Sequence, residues 1–144
     1  MIGRIQLRRM AEWTARRQAN AAAIWDAARS IPGLRVPLLP SWAEHAAYKC
    51  YVFVEQTALK EGWNRDRIMD AINSRGVPCY SGVCPEIYLE KAFDNTGWRP
   101  AERLPIARKL GETALMFLVH PTLEPQHINQ TCEALHQVMQ EATP

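Results

Sequence analysis

No apolar run in this sequence approaches the roughly 20 residues needed to cross a bilayer. The opening residues, MIGRIQLRRM, lack the apolar core of a secretory signal. Net charge is only +2, too little to imply a nucleic-acid partner. Nor does any strand interleave aromatic with basic residues. Arg4, Arg8, Arg9, Arg16 and Arg17 make the N-terminal segment locally basic, which reads as a solvated helix face. Cysteine is sparse, and Cys79 and Cys84 are spaced too widely for a CxxC zinc knuckle. Four scattered cysteines without a secretion signal point to a reducing cytoplasm. There is no internal repeat and no low-complexity tract.

What is present suits one domain with a real core: 144 residues, 47% hydrophobic and 22% charged. Ile2, Met10, Trp13, Ala21, Ile24 and Ala28 recur near helical spacing and predict a long helix over 2–29, ended by Pro32-Gly33. Arg4, Arg8, Asp26 and Arg29 fall on its other side. The periodic pattern is already running at Ile2 with no capping residue before it. A chain cut inside a helix, or one close to its natural start, is expected.

A Pro-rich connector over 36–40 precedes YKCYVFVE, residues 48–55, which alternates as a strand. Asn64 should cap a helix over 65–75, with Trp63 and Ile68 as a hydrophobic staple and Gly76 at C′. A short strand is expected over 77–80, then a loop to residue 100 with a possible helical turn over 86–93. Residues 102–110 read as a helix stopped by Gly111, and 114–119 as a strand buried on both faces. Pro125 opens the last helix, with Ile128, Cys132, Leu135, Met139 and Ala142 as its buried row. The expected fold class is α+β: a small, mainly antiparallel sheet with helices on one face, preceded by a long N-terminal helix. The other face, carrying Tyr51, Phe53 and part of 114–119, is expected to lie bare, and bare apolar faces mark interaction surfaces.

Five blocks, IGRIQL (2–7), YKCYVFV (48–54), GVPCYSG (76–82), CPEIYLEKAF (84–93) and LGETALMFLVHPTL (110–123), follow one another in this order. In that order they resemble the C-terminal small domain of the DegT/DnrJ/EryC1/StrS aminotransferases, pyridoxal-phosphate (PLP) enzymes that aminate nucleotide-linked keto sugars. The resemblance implies that residues 1–144 are one domain of a larger enzyme. The large domain, bearing the cofactor lysine, would precede it and be its partner. The full enzyme would use PLP and an amino donor, expected to be glutamate, and would work as a homo-oligomer. Its products would feed polysaccharide or modified-sugar synthesis. Many members carry a histidine after GVPC; this chain has none between Gly76 and Arg99.

On the same resemblance, Tyr80, Ser81 and Glu86 lie where the family approaches substrate. No catalytic, cofactor-binding or metal-ligating residue is assigned. Lys49, Lys60, Lys91 and Lys109 lack the Ser- or Gly-rich setting of a cofactor lysine and read as surface residues. None is expected to carry PLP covalently. His120 could titrate near neutrality, but its place between an apolar strand and Pro121 suits structure better. His45, His127 and His136 read as surface residues. The rival reading is a non-catalytic α+β module that binds a protein partner through the bare sheet face.

Overall fold

The computed structural model describes residues 2–144. The helical periodicity at the start becomes α1, Ile2–Arg29. Its 28 residues span about 42 Å, far longer than the sheet it packs on. Only its second half therefore finds the core, where Ala21, Ile24, Trp25 and Ala28 are buried. The expected row fails at its other end: Ile2 and Met10 stand in solvent, as do Ile5 and Leu7.

Pro32-Gly33 turns the chain into β1, Leu34–Arg35, a strand that the sequence pattern did not disclose. β2 is Cys50–Val54, β3 is Cys79–Tyr80 and β4 is Ala114–Phe117. The order is β1-β2-β4-β3, with every pair antiparallel. Tyr51 pairs with Met116, Phe53 with Ala114, and Tyr80 with Met116. β4 is thus central, which is why all four of its residues are apolar and buried. Tyr48, expected in the strand over 48–55, lies before β2 and is exposed.

Three helices cover one face. α2, Arg65–Ser74, starts where Asn64 Oδ1 accepts from the Arg67 N–H at 2.8 Å. It buries Ile68 and Ile72. α4, Pro125–Ala142, packs on both α1 and α2. Its buried row is Ile128, Thr131, Ala134, Leu135, Val138, Met139 and Ala142. Cys132 belongs to the flank instead, half-buried, with Sγ 3.8 Å from the Ala23 carbonyl. Against these helices β2 and β4 turn Cys50, Val52, Leu115 and Phe117, each 0% exposed. Trp25 ties α1 to the sheet by donating its indole N–H to the Tyr51 carbonyl at 2.9 Å.

The opposite face is not bare. α3, Pro105–Thr113, and the segment from Ser81 fold over it. Ala114 and Met116 are buried there, and Tyr51 and Phe53 are half-buried. The helix also runs through Gly111, which does not stop it. A Cβ at Gly111 would collide with the Pro85 ring, lying 3.0 Å from its Cβ and nearer still to Cγ. Gly111 thus serves close packing of two segments rather than termination. Between them, residues 81–104 hold two short 3-10 turns, Ile87–Leu89 and Lys91–Phe93.

Candidate functional site

The site grows from the edge of the sheet. Asn73, in α2, holds β3 with both ends of its side-chain amide. Its Oδ1 accepts from the Cys79 N–H at 2.9 Å, and its Nδ2 donates to the Cys79 carbonyl at 2.9 Å. The side chain stands in for a further strand at that edge. This fixes the backbone from which Tyr80 and Ser81 leave the sheet. Tyr80 is 49% exposed, and Ser81 is exposed at the rim of a cleft.

That cleft, of about 340 Å³, lies on the outer face. Tyr51, Phe53 and Ala114 floor it; Pro85 and Leu110 wall it. The rings of Tyr51 and Phe53 lie nearly parallel, centroids 6.4 Å apart. The Arg35 guanidinium sits 4.4 Å over Phe53 in a cation–π contact. Gly82 passes so close to Tyr51 that a Cβ would sit 2.6 Å from Cε1, and its φ of +96° also demands glycine.

Glu86 turns inward, only 8% exposed. Arg103 grips it with two bonds, Nε to Oε1 at 2.9 Å and Nη2 to Oε2. The Tyr88 hydroxyl donates to Oε1 at 2.6 Å and accepts from the Leu104 N–H at 2.8 Å. The Arg103 and Tyr88 bonds hold the Glu86 carboxyl down to about 2. Arg99 completes the bracing, donating to the carbonyls of Tyr88 at 2.9 Å, Leu89 at 3.1 Å and Glu90 at 3.3 Å, and pairing with Asp94.

Of the three residues read from the sequence, Ser81 reaches the cleft and Tyr80 lies beside it on the surface. Glu86 has its carboxylate engaged by its own chain. Asn73, Tyr88, Arg103 and Gly111 went unremarked in the sequence. Asn73 and Cys79 stand 6 residues apart, Tyr88 and Leu104 16, and Glu86 and Arg103 17, outside any periodic signal.

The chemistry this cleft offers is the hydroxyls of Ser81 and Tyr51 on an otherwise apolar lining. Among the described residues no lysine and no carboxylate line it. Lys60 Nζ donates to the Glu141 carbonyl at 3.0 Å, Lys49 is half-buried before β2, and Lys91 and Lys109 are exposed. None of the four lysines lines this cleft. His120 is exposed in a local turn, its Nδ1 2.7 Å from Thr122 Oγ1 and accepting from the Thr122 N–H at 3.3 Å. His45 accepts from the Ala47 N–H at 3.0 Å, and His127 Nδ1 accepts from the Glu124 N–H at the start of α4 at 3.0 Å. Burial pushes the thiols of Cys50 and Cys79 up to about 12. Among the described residues no group of His, Cys, Asp or Glu is arranged to hold a metal, and no helix is long and apolar enough to cross a membrane.

Residues 1–136 match the model of the DegT/DnrJ/EryC1/StrS aminotransferase family. The aminotransferase from Psychrobacter cryohalolentis is 52% identical, superposes with a TM-score of 0.88, and shares 96% of this chain but 37% of its own. DesV of S. venezuelae, solved with a ketimine intermediate, is 23% identical with a TM-score of 0.80, over 94% of this chain and 34% of its own. EryC1 of Saccharopolyspora erythraea, an erythromycin biosynthesis sensory transduction protein, is 25% identical over 134 residues, 91% of this chain and 34% of the relative. The chain spans about a third of the length of each of these relatives. With the family match running nearly end to end, the chain belongs to the DegT/DnrJ/EryC1/StrS aminotransferase family, whose members depend on PLP.

Proposed function

We propose that residues 1–144 are the C-terminal small domain of a PLP-dependent aminotransferase that acts on keto nucleotide sugars in polysaccharide or modified-sugar biosynthesis. The observation that carries this reading is the family match over 1–136 in a chain whose Ser81 cleft holds no lysine. PLP, bound elsewhere in the complete enzyme, supplies the electron sink for amino transfer. A preceding large domain holds the cofactor lysine, and glutamate is the amino donor. The enzyme is a cytoplasmic homo-oligomer with neither nucleic acid nor membrane as partner.

In this reading the small domain walls the sugar side of the active site. Tyr80 and Ser81 present hydroxyls that can bond sugar or phosphate oxygens. Glu86 shapes the same side from within. The solvent-facing apolar residues of α1, Ile5, Leu7 and Met10, give the large domain a surface to dock on.

The test is amino transfer from glutamate to a panel of keto nucleotide sugars, catalysed by the complete enzyme carrying this segment. The expected result is transfer to at least one panel member. A complete enzyme that holds PLP and aminates no nucleotide sugar overturns the reading. A stable complex with another protein, without any transfer, would move the assignment to an interaction module.

A further inference from the structure

The segment from Ser81 to Glu86 is fastened at every second or third residue. Upstream, Asn73 brackets the peptide of Cys79. Gly82 lies flat on the Tyr51 ring, Pro85 nests on Gly111 of α3, and Glu86 is locked by Arg103 and Tyr88. Each fastening is of a kind that fixes position without adding much apolar burial. Two depend on a missing Cβ and one on a bidentate charge pair. The side chains left free by this scheme are those of Tyr80, Ser81 and Val83, all exposed, with Ser81 and Val83 lining the cleft.

We propose that residues 81–86 are a preset strap that holds the hydroxyls of Tyr80 and Ser81 in register with the sugar, and that Pro85, Gly111, Glu86 and Arg103 are its positioning residues. This rests on the sugar-aminotransferase reading above. The strap lies along the Ser81 cleft, with Val83 and Pro85 in its lining. It acts through the two residues it places, so it governs sugar binding and not the donor step. Glutamate is too small to extend along the nucleotide-sugar side, and its half-reaction is independent of the strap.

The contact between Pro85 and Gly111 allows a clean perturbation. Gly111→Ala adds one methyl in a helix, where alanine is the better residue by roughly 1 kcal/mol. A fall in activity therefore does not come from loss of α3. The added Cβ overlaps the Pro85 ring, and the strap must move. Pro85→Ala removes the ring and makes room again, so the double variant should recover. Glu86→Gln keeps the shape of the side chain and removes the charge that Arg103 holds.

The experiment measures, in the complete PLP-loaded enzyme, KM for the keto nucleotide sugar and the rate of the glutamate half-reaction. Gly111→Ala should raise the sugar KM about tenfold, since sub-ångström to ångström displacements of positioned groups carry effects of that order. Glu86→Gln should do the same. The glutamate half-reaction should stay within about twofold, a split that general destabilisation does not produce. Pro85→Ala with Gly111→Ala should return the KM to within about threefold of the wild type. Amide exchange of residues 83–89 should rise in Gly111→Ala while α3 stays protected. An unchanged sugar KM in Gly111→Ala, failed recovery in the double variant, or a matching loss in the donor half-reaction each overturns the proposal. A wild type that aminates no sugar refutes the functional reading and the sugar role together. Unchanged exchange at 83–89 refutes the strap even when the wild type is active.

Discussion

Asn73→Ala tests how β3 is held, and its size follows from four terms. The substitution removes the bond from the Cys79 N–H, at 2.9 Å, and the bond to the Cys79 carbonyl, also at 2.9 Å. Each such bond contributes about 1 kcal/mol net. Cys79 is only 2% exposed, so water replaces the lost partner poorly, and a stranded donor adds about 1 kcal/mol more. Against this, alanine is better than asparagine inside α2 by roughly half a kcal/mol. The balance is a loss of about 2–3 kcal/mol. Urea unfolding, followed by tryptophan fluorescence to which buried Trp25 contributes, reads it as a lower midpoint at unchanged slope. Asn73→Asp separates the two bonds. The carboxylate still accepts from the Cys79 N–H, cannot donate to the carbonyl, and places negative charge against it. It should lose at least 1 kcal/mol at neutral pH. Stability of Asn73→Ala within half a kcal/mol of the wild type would refute the bracket. A fully stable Asn73→Asp would show that the donor half of it contributes nothing.

Two further outcomes follow from the titrating groups. Glu86 has its carboxyl lowered from 4.5 to about 2 by Arg103 and Tyr88. A carboxyl lowered on folding stabilises above its unfolded value and loses that contribution as pH falls toward the folded one. Melting temperature should thus drop more steeply in the wild type than in Glu86→Gln between about pH 4.5 and 2, and parallel curves would refute the link. Among the thiols, exposed Cys84 should react first with a disulfide reagent at pH 8, whereas Cys50 and Cys79, pushed to about 12 by burial, should wait for unfolding. Early labelling of either buried thiol would refute the packing described.

The parts of the fold legible in the sequence are those fixed by local chemistry. Asn64 and Gly76 bracket α2 because capping needs only neighbours. Pro125 marks the start of α4, and the unbroken apolar run of β4 marks its place at the sheet centre. What escaped depends on distant partners. β1 is two residues long and exists because Leu34 and Arg35 meet Val54 and Phe53. Gly111 carries the local signature of a helix stop, but Pro85, far away in sequence, decides its role. The outer face was read as bare because residues 81–104 show no apolar period. Polar bracing by Arg99, Arg103 and Tyr88 folds them instead. Tyr80 and Ser81 emerged through family resemblance, and the cleft adds a physical setting for Ser81. The inward turn of Glu86 needed Arg103, and no spacing rule joins the two.

The two faces of the sheet are built by different physics, and they should tolerate change differently. The inner face is a continuous apolar cluster joining α1, α2, α4 and the strands. Such cores accept many exchanges that keep volume and pattern. The outer face rests on single pairs: Gly82 with Tyr51, Pro85 with Gly111, Glu86 with Arg103. Each pair must change together or break. The largest stabilising cluster lies on the other side of the sheet, so altering a pair displaces the strap without unfolding the domain. Under the sugar-aminotransferase reading, this places the means of altering substrate choice where its cost in stability is lowest. It also separates the two experimentally: core substitutions should move the melting temperature and spare the sugar KM of the folded fraction, while Gly111→Ala should do the reverse.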